Sequence, residues 1–249
     1  MNFATRLRRH ECLVGTMLTL PAPEVAEMAS KCGVDWLFLD GEHGALSMLE
    51  WQRLLQATAG RCANLLRIPG GGETAVKQAL DIGADGIIVP MVNTAEQARD
   101  VVRWAKYPPR GERGVGLARA QGYGLDFARY VETANEETVV VVQAEHIRAV
   151  EAIDAIVEVE GLDAVFIGPY DLSASMGLTG QVGHPDVVAA IDAISRACER
   201  AGLARGIFGL DAAQVRPYAE SGYSLVCAGV DAGFVTRGVR EVVAALKRA

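Results

Sequence analysis

A closed (β/α)8 barrel is the fold class this sequence predicts, and three observations predict it. Short apolar runs alternate with amphipathic, alanine-rich stretches eight times along 249 residues. Polar residues at the ends of those runs recur at one strand-plus-helix interval, 24 residues from His43 to Arg67 and 26 from Glu145 to Asp171. No Gly-x-Gly-x-x-Gly turn of a doubly wound open sheet interrupts the rhythm. With half of its residues apolar, a chain of this length can bury one core of barrel size. No composition shift marks a linker, so a single domain over residues 1–249 is expected.

The first strand is expected near 12–18, in Cys12-Leu13-Val14-Gly15-Thr16-Met17-Leu18. Arg6, Arg8 and Arg9 before it superficially resemble a secretory signal, but Glu11 interrupts the pattern and cleavage would delete the strand. A cytoplasmic protein without a membrane span is expected. The second and third strands, near 36–40 and 63–68, end in Asp40-Gly41-Glu42-His43-Gly44 and Leu65-Leu66-Arg67-Ile68-Pro69. The fourth is expected near 86–92 and the fifth near 138–144, where Val139 to Val142 lead into Gln143-Ala144-Glu145. The sixth, near 164–168, runs Ala164-Val165-Phe166-Ile167-Gly168 into Pro169-Tyr170-Asp171; the last two are expected near 204–209 and 223–229. Thr94 and Asp211 suit helix N-caps, and glycines 33, 60, 83, 161, 202 and 222 suit helix C-termini. The Pro- and Gly-rich stretch from Tyr107 onward reads as a loop insertion over about 107–126.

Composition narrows the function classes. A formal charge of −7 and four lysines argue against nucleic acid, which selects clustered basic residues. Five cysteines, odd in number and without a C-x-x-C spacing, suggest neither a disulfide framework nor a structural zinc site. Gly70-Gly71-Gly72 lacks the Gly-Lys-Ser/Thr of a phosphate loop.

Function is expected where the strands end, because barrel enzymes keep their chemistry at that face. Glu145 and Asp171 each follow a buried apolar run, and a carboxylate there needs water or a cation. Two carboxylates, with water and substrate supplying further oxygens, suit Mg2+ or Mn2+, with Co2+ also possible. The bland alternative pairs both acids with arginines at the rim. Gln143 lies two residues before Glu145 and so on the same side of the strand. His146 is a competing ligand or simply a helix-start residue. His43, beside Asp40 and Glu42, is the candidate general base, its alternative being a satisfied loop histidine. Arg67 is placed to grip a substrate oxygen or to pair internally with Asp40 or Glu42. His10 and His184 have weaker claims, one lying before the first strand and the other where a helix begins. Lys31, Lys77, Lys106 and Lys247 all fall in expected helices or helix ends, leaving no nucleophile for imine chemistry.

Asp40-Gly41-Glu42-His43-Gly44, Leu66-Arg67-Ile68-Pro69, Ala84-Asp85-Gly86-Ile87-Ile88-Val89-Pro90, Tyr107-Pro108-Pro109-Arg110-Gly111-Glu112-Arg113-Gly114 and Ile167-Gly168-Pro169-Tyr170-Asp171-Leu172-Ser173-Ala174-Ser175-Met176-Gly177 resemble the HpcH/HpaI aldolase family over nearly the whole chain. The resemblance implies a phosphoenolpyruvate/pyruvate-type TIM barrel and a class II, metal-dependent aldolase that cleaves 4-hydroxy-2-oxo acids to pyruvate and an aldehyde. It implies Glu145 and Asp171 as metal ligands, His43 as base with Asp40 beside it, Arg67 on the ketone oxygen and Gln143 in support. Gly168, Pro169 and Ser173 of the matching run would contact substrate. It also implies a homohexamer, a trimer of dimers, with the last helix exchanged between subunits. His146 and Tyr170 depart from the family's common threonine and alanine, which bears on the pocket's width and its aldehyde. Two other readings compete: an acyl-CoA ester lyase of the citrate lyase beta type, and a non-catalytic 2-oxo acid binding protein. The second would not need His43 and Arg67 together.

Overall fold

A strand covered on both faces has no polar side, so it reads as an unbroken apolar run rather than an alternating one. The runs form eight short strands: β1 (Leu13–Leu18), β2 (Trp36–Asp40), β3 (Ala63–Arg67), β4 (Gly86–Val89), β5 (Val139–Ala144), β6 (Ala164–Ile167), β7 (Ala204–Gly209) and β8 (Leu225–Val230). In the computed structural model, which describes residues 1–247, all eight pair in parallel with their sequence neighbours, and β1 closes on β8. Arg248 and Ala249, at the end of the expected domain, lie outside the described residues.

The helices are α1 (Phe3–Arg8), α2 (Pro23–Lys31), α3 (Met48–Thr58), α4 (Glu73–Asp81), α5 (Ala95–Ala105), α6 (Phe127–Glu137), α7 (Ile147–Glu151), α8 (Ile153–Val157), α9 (Pro169–Ser175), α10 (Pro185–Ala201), α11 (Ala212–Glu220) and α12 (Asp231–Leu246). Thr94 and Asp211 cap α5 and α11 as expected, their side chains accepting from the backbone N–H of Gln97 and Gln214 at 3.2 and 3.0 Å. Gly202 ends α10 in the left-handed region (φ 66°), where a Cβ would be strained. Among the described residues no helix is long and apolar enough to cross a membrane.

Two apolar clusters result. The larger lies between the strands and the surrounding helices. The smaller fills the barrel itself with Leu13, Trp36, Phe38, Leu65, Val141, Phe166, Leu225 and others, floored by Ala4 and Leu7 of α1. Trp36, Phe38 and Phe166 pack ring against ring with centroids 5.6–6.2 Å apart. Gly206 makes room for them, since a Cβ there would stand 2.3 Å from the Phe166 ring.

Between α5 and β5 the chain inserts a loop, a 3-10 turn (Arg119–Gly124) and α6, so this unit carries a second helix before the next strand. Arg113 pins this insertion. Its guanidinium is buried, bonds Asp81 Oδ1 at 2.8 Å and lies 4.6 and 5.7 Å from the ring centroids of Tyr107 and Tyr130. At the other end of the chain, α12 rests mainly on β1 and β8 and leaves Phe234, Val235, Val239, Val242, Val243 and Leu246 exposed.

Candidate active site at the strand C-termini

Side chains two apart along a strand share a face, so the apolar columns inside the barrel continue upward into whatever sits at the strand ends. Trp36 and Phe38 lead to Asp40, Ala63 and Leu65 to Arg67, Val139 and Val141 to Gln143 and then Glu145, and Ala164 and Phe166 to Gly168. The polar residues thus cap a greasy interior. All but the last of these upper residues carry hydrogen-bonding or charged groups, and Asp40, Arg67, Gln143 and Glu145 are each at most 5% exposed.

Asp40 and Arg67 face each other across adjacent strands, in register. Arg67 Nε donates to Asp40 Oδ1 at 2.8 Å and Nη2 to Oδ2 at 2.9 Å, a planar two-point match. Asp40 Oδ1 also accepts from the backbone N–H of Glu42 and His43. Both internal partners expected of Arg67 are therefore present, because its remaining nitrogen, Nη1, lies 3.3 Å from Glu42 Oε2. Phe38 lies beneath the guanidinium, 5.2 Å from ring centroid to Cζ. Asp40 fixes the orientation of Arg67 and leaves Nη1 as the donor free to turn toward a ligand. Asp40, expected among the catalytic residues, lies at the rim with both oxygens engaged in these contacts.

Glu145 stands on the next wall. Its Oε1 accepts from the backbone N–H of Met91 at 2.8 Å, and its Oε2 from Gln143 Nε2. Met91 has a left-handed backbone (φ 55°), unusual for a side chain with a Cβ, and that turn presents its N–H to the carboxylate. Burial is the main force pushing the Glu145 carboxyl up to about 7; the Met91 hydrogen bond opposes it, and the charge of Asp171 adds to it. Gly168 lies against the pair, where a Cβ would come 2.6 Å from Glu145 Oε2 and 2.9 Å from Gln143 Nε2. Asp171 follows in the first turn of α9, exposed to solvent. Among the described residues, neither acid pairs with an arginine at the rim.

A cavity of about 360 Å³ opens between these groups. Asp40, His43, Arg67, Gln143, Gly168, Pro169 and Asp171 line it, so seven of the nine expected site residues meet in one place. Glu145 reaches it through Gln143. Ser173 does not: it is fully buried, and its hydroxyl donates to Tyr170 O at 2.7 Å and accepts from Gly180 N at 3.0 Å. A serine one turn into a helix closes on its own backbone, which the motif alone did not reveal. His43 is exposed, and the carboxylate contact it makes runs through its backbone, not its ring. His146 caps α7 by accepting from Arg148 N, and His184 caps α10 in the same way. Lys106 is the buried lysine, but it lies at the opposite end of the barrel with Nζ on the carbonyls of Asn135 and Thr138.

The rest of the cavity was not legible from the motifs. Met17, Phe38, Phe166, Phe208, Leu210 and Val230 give it an apolar wall, with the Tyr170 and Phe208 rings 6.4 Å apart. Thr19 belongs to it too, held by Asp231 at the start of α12, whose buried carboxylate accepts from Thr19 N, Thr19 Oγ1 and Leu20 N.

The donors present fit a hard divalent cation. Gln143 Oε1 is buried without a partner, an acceptor aimed at nothing in the chain, and Glu145 is a buried carboxylate that makes no salt bridge among the described residues. No group of three or more His, Cys, Asp or Glu among the described residues encloses a metal. A two-carboxylate pair leaves the other positions to water and substrate, as oxygen-preferring cations tolerate.

The model of the HpcH/HpaI aldolase/citrate lyase family matches residues 14–237. The chain belongs to that family. Among curated relatives, a hydroxypyruvate/pyruvate aldolase of Pseudomonas aeruginosa is 44% identical over 99% of this chain and 92% of its own. A 2-keto-3-deoxy-L-rhamnonate aldolase of Klebsiella pneumoniae is 41% identical over 98% and 92%. The crystal structure of an HpcH/HpaI aldolase/citrate lyase family protein from Burkholderia cenocepacia superposes with a TM-score of 0.94 at 35% identity, covering 98% of each chain. With relatives this similar over almost the full length, the HpcH/HpaI protein described here is an enzyme, an aldolase of class II.

Proposed function

We propose that this aldolase splits a 4-hydroxy-2-oxo acid into pyruvate and an aldehyde, reversibly, with Glu145 and Asp171 holding Mg2+ or Mn2+. The observation that carries the reading is the convergence of a buried, unneutralised Glu145, an unpartnered Gln143 Oε1 and a two-point-anchored Arg67 at one strand-end cavity. When bound, the cation supplies a positive charge that polarises the 2-oxo acid.

The chain's own residues do the rest. Arg67, its fork clamped by Asp40, offers Nη1 to the ketone oxygen, which gains negative charge as the C3–C4 bond breaks. A donor fixed before the reaction needs no reorganisation when that charge appears. His43, on the same rim, takes the proton of the C4 hydroxyl as the aldehyde forms. Phe38, Phe166 and Phe208 exclude water from the apolar side of the cavity, which strengthens each of these interactions. Protonation of the enolate at C3 yields pyruvate.

The relatives named as hydroxypyruvate/pyruvate and 2-keto-3-deoxy-L-rhamnonate aldolases support a pyruvate-type donor. The exposed apolar face of α12 supports a subunit interface through that helix, and the assembly proposed is the hexamer, a trimer of dimers, that the family resemblance implies. A cytoplasmic location accords with the reduced cysteines, of which Cys62, Cys198 and Cys227 are buried and all five are free. The test is exchange of the pyruvate C3 protons into heavy water by metal-loaded protein. An enolate-forming site exchanges them without any aldehyde present, and a mere 2-oxo acid binder does not.

A further inference from the structure

A second cavity, of about 300 Å³, is lined by residues that follow β2, β3 and β4 and by α5, and shares no lining residue with the first. Glu42, Gly70, Gly71, Met91, Gln97 and Trp104 are among the residues that line it. It touches the reaction centre at two points. Glu42 Oε2 lies 3.3 Å from Arg67 Nη1, and Met91 N–H is bonded to Glu145 Oε1 at 2.8 Å. The Gly70-Gly71-Gly72 run, which no phosphate chemistry explains, begins at its mouth and leaves that side without side chains.

The electrostatics of this cavity are one-sided. None of its lining residues is Lys, Arg or His, and its charged groups are Glu42 and Asp100. Asp100 is paired with Arg103 of the same helix at 2.7 Å, on α5. Glu42 has no such cation to itself, because Arg67 is already matched by Asp40, so two carboxylates share one guanidinium. The Glu42 contact is also longer than a good hydrogen bond, which leaves its lone pairs for a donor. Gln97 Oε1 accepts from Asn93 N at 2.7 Å and its amide N–H groups stay available, while Val89, Pro90 and Trp104 supply apolar wall. Such a lining accepts hydroxyl groups on a short carbon chain. A terminal carboxylate would meet Glu42 with no cation in the wall to receive it.

We propose that this cavity receives the part of the substrate beyond the cleaved bond, and that Glu42 selects neutral, hydroxylated aldehydes over carboxylate-ended ones. The proposal rests on the aldolase reading above. Glu42 acts by accepting a hydroxyl hydrogen bond from the favoured aldehyde and by repelling the anionic one.

The experiment measures kcat/KM for carbon–carbon bond formation between pyruvate and either glyceraldehyde or succinic semialdehyde, with Mn2+-loaded protein. Wild type is expected to favour glyceraldehyde by roughly 10-fold or more, since a like charge at short range costs at least that factor. Glu42→Gln is expected to shrink the ratio by roughly 10-fold through a gain with succinic semialdehyde, and Asp100→Asn to shrink it less, in the same direction. Because the quantity is a ratio within one protein, a general loss of rate cancels. If Glu42→Gln turns over neither aldehyde, Asp100→Asn, whose carboxylate stands on α5 away from Arg67, decides alone. A wild type that uses succinic semialdehyde equally well, or a ratio unmoved in the variants, overturns the proposal. Heavy-water exchange of pyruvate protons by wild type separates the two claims. Without exchange the aldolase reading fails; with exchange and an unmoved ratio, the cavity assignment alone fails.

Discussion

Arg67 does its proposed work with one nitrogen because Asp40 holds the other two donors in a plane. Arg67→Lys keeps the charge but loses the fork, and a point ammonium cannot both satisfy Asp40 and reach a ketone oxygen. The expected outcome is a drop in kcat of about 10²–10³-fold with Mn2+ affinity retained, read by steady-state kinetics beside metal titration. Full activity in that variant would remove Arg67 from its role. Gly168 is tested differently. Its Cβ would stand 2.6 Å from Glu145 Oε2, so Gly168→Ala is expected to displace the carboxylate and weaken Mn2+ binding by about 10–100-fold. Calorimetry of metal binding checks it, and unchanged affinity would detach Glu145 from the metal. At this scale the sequence showed which polar groups share the rim, because each follows a buried run. It offered Asp40 or Glu42 as internal partners of Arg67 without deciding between them, and it did not show that Ser173 turns inward to its own helix or that Met91 lends Glu145 an N–H. Those depend on pairings across strands and on one left-handed residue, which no local pattern encodes.

The strands were readable because both of their faces are buried, which leaves β-branched runs without alternation; β2 and β7 fall on the residues expected. α6 was not, since the stretch from Tyr107 to Asp126 reads as loop and the helix beyond it adds no strand to the rhythm. The barrel interior depends on the aromatic triad carried by β2 and β6. Phe166→Ala removes a side chain that touches both Trp36 and Phe38, and Gly206 beside it has no side chain to fill the void. A loss of about 3–5 kcal/mol in unfolding free energy is expected, measured by denaturant titration. A loss under about 1 kcal/mol would mean the interior collapses onto the gap. On α12, Val239 and Val242 are 58% and 60% exposed. Val239→Asp with Val242→Asp is expected to leave the barrel folded and reduce the assembly to smaller species in sedimentation. An unchanged mass would place the subunit contact elsewhere.

Across the whole molecule, the expected site residues and the buried polar pairs of the floor occupy opposite ends of one barrel. Buried Lys106 and the Arg8–Asp163 pair sit at the floor, while Asp40, Arg67, Gln143 and Glu145 sit at the rim above the aromatic layer. The rim concentrates acids: Asp40, Glu42, Glu145 and Asp171 share it with one arginine, and this imbalance is what a divalent cation would neutralise. The sequence carries four lysines, none of them expected at a strand end, so no imine nucleophile is expected at this rim. Tyr170 and Phe208 reach the same cavity from different elements, a meeting that only the folded chain brings about. The most direct test of the central claim is pyruvate release from a panel of 4-hydroxy-2-oxo acids, followed with lactate dehydrogenase, after treatment with EDTA and again after Mg2+ or Mn2+ is restored. Pyruvate production is expected to be lost with EDTA and to return with either ion. Undiminished release in EDTA, or no release from any substrate with metal bound, would contradict the claim.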